Sequence, residues 1–211
     1  ETLVVWNSAL LKSAKLIFPM LIFSVFFAEP IMTCMYGDIY AQSSIYFVIK
    51  NLSGLFYIIP FYPIILAIGK TNSYANAHMI AAFMIVIAEY VVCKTFDSAV
   101  YVAITSELCN LFKIWLLLRV IANYAHMKIT ELLPPKPMTI LIMISALASL
   151  PPFLLLDFLN MNKFIVLFVC LGFFLVDYYV LCWICKVTYR DIAGGFLKNK
   201  SRLNAVVKIL P

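Results

Sequence analysis

Along this chain apolar residues do not alternate with polar ones; they come in long unbroken runs separated by short polar breaks. The stretch FYPIILAIGKTNSY, residues 61–74, shows the form: an apolar run stops at Gly69, Lys70, Thr71 and Asn72, and apolar residues then resume. Six such runs predict six helices, over residues 16–36, 43–68, 74–93, 98–121, 138–159 and 163–186. Each approaches or exceeds the ~20 residues that a helix needs to cross a bilayer. None shows the period-two alternation of a barrel strand, and in lipid only helices and closed barrels satisfy their own backbone groups. The pattern therefore predicts an all-α, polytopic membrane fold.

Composition points the same way. The 211 residues are 64% hydrophobic and only 12% charged, with a mean hydropathy of +1.00. An ordinary soluble domain is roughly half apolar and a quarter charged, so a water-solvated surface is excluded. The chain opens on Glu1, and ETLVVWNSALLKSAK has neither the basic start nor the cleavage site of a signal peptide. It is expected to be a piece of something longer.

The charges that remain are placed lopsidedly. If the first helix enters from the cytoplasm, that side collects Lys12, Lys15, Lys70, Arg119, Lys128, Lys136, Lys186, Arg190, Lys198, Lys200, Arg202 and Lys208. The opposite side keeps Lys94 and Lys163. This is the positive-inside signature, and it accounts for the basic pI near 9.0 without a nucleic-acid partner. The resulting plan is an approach segment 1–15, four helices over 16–121, a cytoplasmic loop 122–137, two helices over 138–186 and a basic tail 187–211. That tail mixes Lys and Arg with Phe, Leu and Val, as a segment resting on anionic lipid does, but a plain cytoplasmic tail is the preferred reading.

Polar groups inside the runs are the candidates for chemistry, because the bilayer makes them expensive. Glu29, Lys50 and Glu89 fall within about two turns of the outer face, where a long side chain can snorkel. Glu107 and Lys113 lie deeper. With Ser106 and Asn110 they put polar groups on one face of the fourth helix, either a cavity wall or a polar seam between helices. Asp177 sits near mid-membrane beside Tyr178 and Tyr179.

Two stretches suggest a family. FFAEPIMTCMYGDIYAQSS closes the first helix and opens the second, and FYPIILAIGKTNSY closes the second and opens the third. Both resemble the second lobe of the multidrug/oligosaccharidyl-lipid/polysaccharide exporter superfamily, through Phe27, Ala28, Glu29, Pro30, Ile31, Gly37, Tyr40, Ala67, Gly69, Lys70 and Thr71. SAVYVAITSEL resembles the family's small-residue segment, departing at Ser98 where Gly is frequent, and the third helix lacks the family's mid-helix Asn. The resemblance covers residues 16–119 and is strongest toward the oligosaccharide flippases of bacterial surface polysaccharide, including lipopolysaccharide O-antigen.

What the resemblance implies is a multi-pass protein of the bacterial cytoplasmic membrane, with this chain as one lobe and an N-terminal lobe missing. It would move a polyprenyl-pyrophosphate-linked oligosaccharide outward by alternating access. The polar stripe of Lys50, Asn51 and Tyr57 and the face of Glu107, Asn110 and Lys113 would bind that substrate. Asp177 would pair with a cation of the other lobe or, with Glu107, serve ion coupling. A polysaccharide polymerase and glycosyltransferases would be its working partners. A cation-coupled multidrug exporter of the same superfamily is the second reading, and a membrane-embedded transferase a third.

Catalysis finds little support in the sequence. Cys182 and Cys185 in CWIC lie in an apolar helix, where such spacing marks small packing residues more often than a redox or metal pair. His78 and His126 have no nucleophile partner at a recognisable spacing. No enzyme activity, metal or cofactor is expected. Gly69-Lys70-Thr71 lacks the earlier Gly and the preceding strand of a phosphate-binding P-loop, so Lys70 is expected at the headgroups as a corner residue.

Overall fold

The computed structural model describes residues 2–59, 61–156, 162–185 and 187. Of the described residues 88% are helical, and none is in a strand. The helices are α1 (Thr2–Phe26), α2 (Ala28–Tyr36), α3 (Ser44–Gly54), α4 (Phe61–Ala67), α5 (Thr71–Thr95), α6 (Ala99–Ala125), α7 (Ile129–Leu132), α8 (Pro135–Leu155) and α9 (Lys163–Ile184). A 3-10 turn, Asp38–Ser43, joins α2 to α3. Among the described residues five segments are long and apolar enough to cross a membrane: Ser8–Phe26 within α1, and all of α5, α6, α8 and α9. By length and composition this is a multi-pass membrane protein.

The second apolar run departs from the expected single helix. The run over 43–68 is not one helix: α3 ends at Gly54, a turn follows, and α4 begins at Phe61. Through the turn the backbone keeps short-range bonds, Phe56 N–H to Ser53 O at 3.1 Å and Tyr57 N–H to Gly54 O at 3.0 Å, in place of the α-helical ladder. Gly54 and Pro60 bracket the change, and Pro60 has no N–H to contribute. The first predicted helix, 16–36, differs at both ends: α1 begins at Thr2, so that Lys12 and Lys15 lie within a continuous helix, and it stops at Phe26, residues 28–36 forming α2. The end of the fifth run, Lys186 and the tail from residue 188 onward lie outside the described residues.

Prolines shape the first two helices. Pro30 cannot donate to the carbonyl of Phe26, and the chain bends there, with Phe27 at φ −103° and ψ 24° between α1 and α2. Pro19, inside α1, likewise leaves the carbonyl of Lys15 without its usual i+4 donor. Tyr178 of α9 supplies a replacement, its hydroxyl reaching Lys15 O at 3.4 Å. A defect in one helix thus becomes a contact with another.

The turns are built by specific local chemistry. Gly69 takes φ +70°, with its N–H on Leu66 O and the Lys70 N–H on Ile65 O, both at 3.0 Å. That paired pattern is a Schellman motif, and α5 begins two residues after the glycine. The tight polar break in FYPIILAIGKTNSY is therefore a helix stop and a helix start sharing one corner. His126 closes α6 in the same way at φ 54°, with Met127 N–H on Ala122 O at 3.0 Å. Pro135 opens α8, and the Asn162 side chain caps α9 by accepting from Phe164 N at 3.1 Å.

Packing divides into two apolar clusters. One gathers Leu10, Phe18, Ile65, Ala77, Leu117 and Leu141 from α1, α4, α5, α6 and α8, and Trp6 fastens it by donating its indole N–H to Leu132 O at 2.9 Å. The other gathers Phe23, Phe27, Ala148, Cys170 and Phe174 from α1, α8 and α9. Helix α1 packs along α8, α8 along α9, and α5 along α6, while α3 lies between α1 and α6. Lys163 of α9 pairs with Asp38 of the 3-10 turn, so both sit at one end of the bundle.

This arrangement makes the inferred orientation testable. In a variant freed of its six native cysteines, a cysteine at Asp97 or Asn162 should react with an impermeant thiol reagent in intact cells, and one at Asn72 should not. Labelling at Asn72 without labelling at Asp97 would invert the topology.

Candidate functional site

The charged cluster is assembled from three helices. Helix α3 presents Lys50 one turn before its end, and Ser53 steadies that stretch by donating its hydroxyl to Lys50 O at 2.9 Å. Helix α6 presents Glu107, and the two meet, Lys50 Nζ standing 2.6 Å from Glu107 Oε1. The pair is unequal in its access to solvent or ligand: the Lys50 side chain is 61% exposed and that of Glu107 only 12%. Ser53 and Asn110 flank the carboxylate. Its second oxygen, Oε2, is buried with no hydrogen-bond partner among the described residues.

The face continues down α6. Asn110 accepts from Lys113 Nζ at 3.1 Å, which aims the ammonium back along its own helix. His78 of α5 approaches Lys113 from the neighbouring helix and stacks on Tyr74 with ring centroids 4.4 Å apart. The Nε2 atom of His78 is also buried and has no partner among the described residues. Tyr57, in the turn after α3, stands near Lys50. Two ammonium groups, one carboxylate and several neutral polar groups thus share a face that would otherwise be apolar.

An apolar groove adjoins this face. It has a volume near 410 Å³ and runs between α3 and α6, with Ile49, Leu52, Phe56, Ile104, Leu108 and Leu111 on its walls and Glu107 and Ser53 at its edge. The combination offers an ion pair beside a channel suited to hydrocarbon. A larger cleft of about 850 Å³ opens at the Asp38–Lys163 end, between α2, α3, α8 and α9, where Glu29, Asp38 and Lys163 bring charge to its rim.

Of the residues expected to bind substrate, the structure gathers Lys50, Tyr57, Glu107, Asn110 and Lys113 into one region. Asn51 departs, because its side-chain amide is turned onto its own helix and donates to Phe47 O at 2.8 Å. Asp177 is half-buried on α9, which packs against α8 and the α1–α2 joint, away from the α3–α6 contact that holds Glu107. The two expected ion-coupling residues therefore do not form one centre. Lys50 also differs from a simple snorkelling cation, since its ammonium is held by a carboxylate of another helix. Glu29 and Glu89 stand outside this cluster, Glu29 on the rim of the larger cleft.

Two participants were not singled out in the sequence. They are His78 of α5, beside Lys113, and Ser53 of α3, beside Glu107. The signal for His78 was its four-residue spacing from Tyr74, which puts both on one face of α5. No set of three or more His, Cys, Asp or Glu side chains is grouped to hold a metal ion among the described residues. Cys182 is buried and Cys185 exposed.

In comparisons with known proteins, no family model, no curated protein and no solved structure matches this chain.

Proposed function

We propose that the chain is part of a flippase that carries a polyprenyl-pyrophosphate-linked oligosaccharide across the bacterial cytoplasmic membrane for surface-polysaccharide synthesis. The observation that carries this reading is the juxtaposition of Lys50 with the apolar groove between α3 and α6. A lipid-linked pyrophosphate has two parts with opposite demands. Its phosphates need cations and hydrogen-bond donors, which Lys50 and Lys113 provide. Its polyprenyl chain needs an apolar path that stays continuous with the bilayer, and the groove is nearly devoid of polar surface beyond Ser53 and Glu107.

The resemblance of FFAEPIMTCMYGDIYAQSS and FYPIILAIGKTNSY to the exporter superfamily supports the same reading, as does the interrupted helix between α3 and α4. Broken helices beside a binding site are a recurring device of transporters, because the break supplies a joint. In this reading Lys50 and Lys113 hold phosphate, Tyr57 and Asn110 contact the sugar side, and transport proceeds by alternating access. The second reading, a cation-coupled drug exporter, draws on the buried carboxylate of Glu107.

The deciding experiment uses the complete reading frame reconstituted into proteoliposomes with a fluorescent lipid-linked pyrophosphate oligosaccharide. Movement to the far leaflet, measured by access of an impermeant quencher, should exceed that of empty liposomes. No movement of this lipid, together with uptake of a cationic dye, would favour the drug exporter instead.

A further inference from the structure

The ion pair at the centre of the site has one accessible member and one sequestered member, and that asymmetry carries a consequence. Glu107 is only 9% exposed and its Oε2 is buried without a partner among the described residues, whereas the Lys50 side chain is 61% exposed. Lys50 is the group a ligand meets first. Its positive charge is already occupied by a carboxylate oxygen at 2.6 Å.

We propose that Glu107 is a resident counter-ion of Lys50, and that an anionic phosphate group takes Lys50 from it on binding. The site is thereby selective for anions, because only a ligand bearing charge can compete with a carboxylate already in hydrogen-bond contact. A lipid without an anionic group that fits the groove gains nothing at Lys50 that Glu107 does not already give. Asn110 stays beside the Glu107 carboxylate through the exchange, while the Ser53 hydroxyl remains on Lys50 O. Lys50 can shift without unravelling the bundle, because it stands one turn before the end of α3, next to the turn that separates α3 from α4.

The exchange has a mechanical side. The Lys50–Glu107 contact ties α3 to α6, so a ligand that takes Lys50 also releases that tie. Binding and loosening of the broken helix become one event.

This inference rests on the flippase reading for the identity of the natural ligand, but its test does not need transport. The full chain in lipid nanodiscs is titrated with inorganic pyrophosphate, and affinity is followed calorimetrically for the parent and for Glu107→Gln, Lys50→Gln and the double variant. Removing the competitor should tighten binding in Glu107→Gln by about tenfold, the scale of one charge-assisted hydrogen bond. Lys50→Gln should weaken binding by at least about tenfold on the same scale, and in that background Glu107→Gln should add nothing. If Glu107→Gln does not accumulate as folded protein, Glu107→Asp withdraws the carboxylate from Lys50 while keeping the charge, and a smaller tightening is expected. Equal or weaker pyrophosphate binding by the Glu107 variants, or a gain that persists without Lys50, overturns the exchange. Absence of pyrophosphate binding to the parent also overturns it, even where proteoliposomes flip the lipid-linked oligosaccharide. The expected affinity pattern without lipid transport leaves the exchange standing and removes the flippase reading.

Discussion

Replacing Lys50 by Ala is expected to cut polysaccharide export by about 10- to 100-fold, the cost of losing a hydrogen bond from a charged group to substrate phosphate. The same substitution leaves Glu107 buried without its partner. Charged residues at mid-membrane cost on the order of 2.5–3.5 kcal/mol by insertion scales, so the variant should also reach the membrane in smaller amount. The two effects separate in the double variant Lys50→Ala/Glu107→Gln. Gln keeps the shape of Glu107 without its charge, so abundance should recover while export stays low. Lys50→Arg should retain part of the export, because the guanidinium still offers a cation and several donors to phosphate but fits the Glu107 contact differently. Export by the double variant equal to the parent at matched protein level would reduce the pair to a packing contact.

The second large effect is structural. Ala148 of α8 is fully buried at 0% exposure, with Ser145 and Ser149 equally buried on the same helix. Small residues on that face allow α8 to approach its neighbours closely, and Ala148 joins the cluster with Phe23, Phe27 and Cys170. Ala148→Phe adds a ring where no space exists. Overpacking of this kind costs about 1–3 kcal/mol or more, and here it forces α8 from both α1 and α9. Folded protein in the membrane, measured by monodisperse elution after mild detergent extraction, should fall several-fold, whereas Ala148→Ser should be tolerated. Normal recovery of Ala148→Phe would mean that the α1–α8–α9 contact is looser than its burial implies.

The apolar runs made most of the fold legible. Five of them correspond to long helices because hydropathy and length are direct physical requirements for crossing a bilayer. The second run failed as a helix for a definite reason. Residues 55–59 are as apolar as the helices on either side, so hydropathy registers that they avoid water but carries no information on their backbone. Gly54, Pro60 and Pro63 were the available sign of a break. The early start of α1 was hidden differently. Lys12 and Lys15 lower the hydropathy of a segment whose backbone nonetheless continues as helix from Thr2.

The site was legible by face but not by partner. Spacing places Asn110 and Lys113 within one turn, and the structure joins them through a hydrogen bond. Glu107 and Lys50 are 57 residues apart, and helical periodicity says which way each points along its own helix without saying which helix it meets. Their pairing follows from α3 packing on α6, a tertiary fact that depends on the short length of α3.

The close packing of α1 on α8 also sets a timetable for the ribosome. Helices α5 and α6 are joined by a short turn and can pair as soon as both have emerged, but α1 must wait for a partner that begins at Pro135. At translation rates of roughly 5–20 residues per second, α1 passes on the order of ten seconds without its main neighbour. The Lys15 carbonyl that Pro19 leaves without its helical donor waits longer still, for Tyr178 of α9. A slowed ribosome would lengthen that vigil, so synonymous codons between α1 and α8 should influence how much of this protein survives quality control.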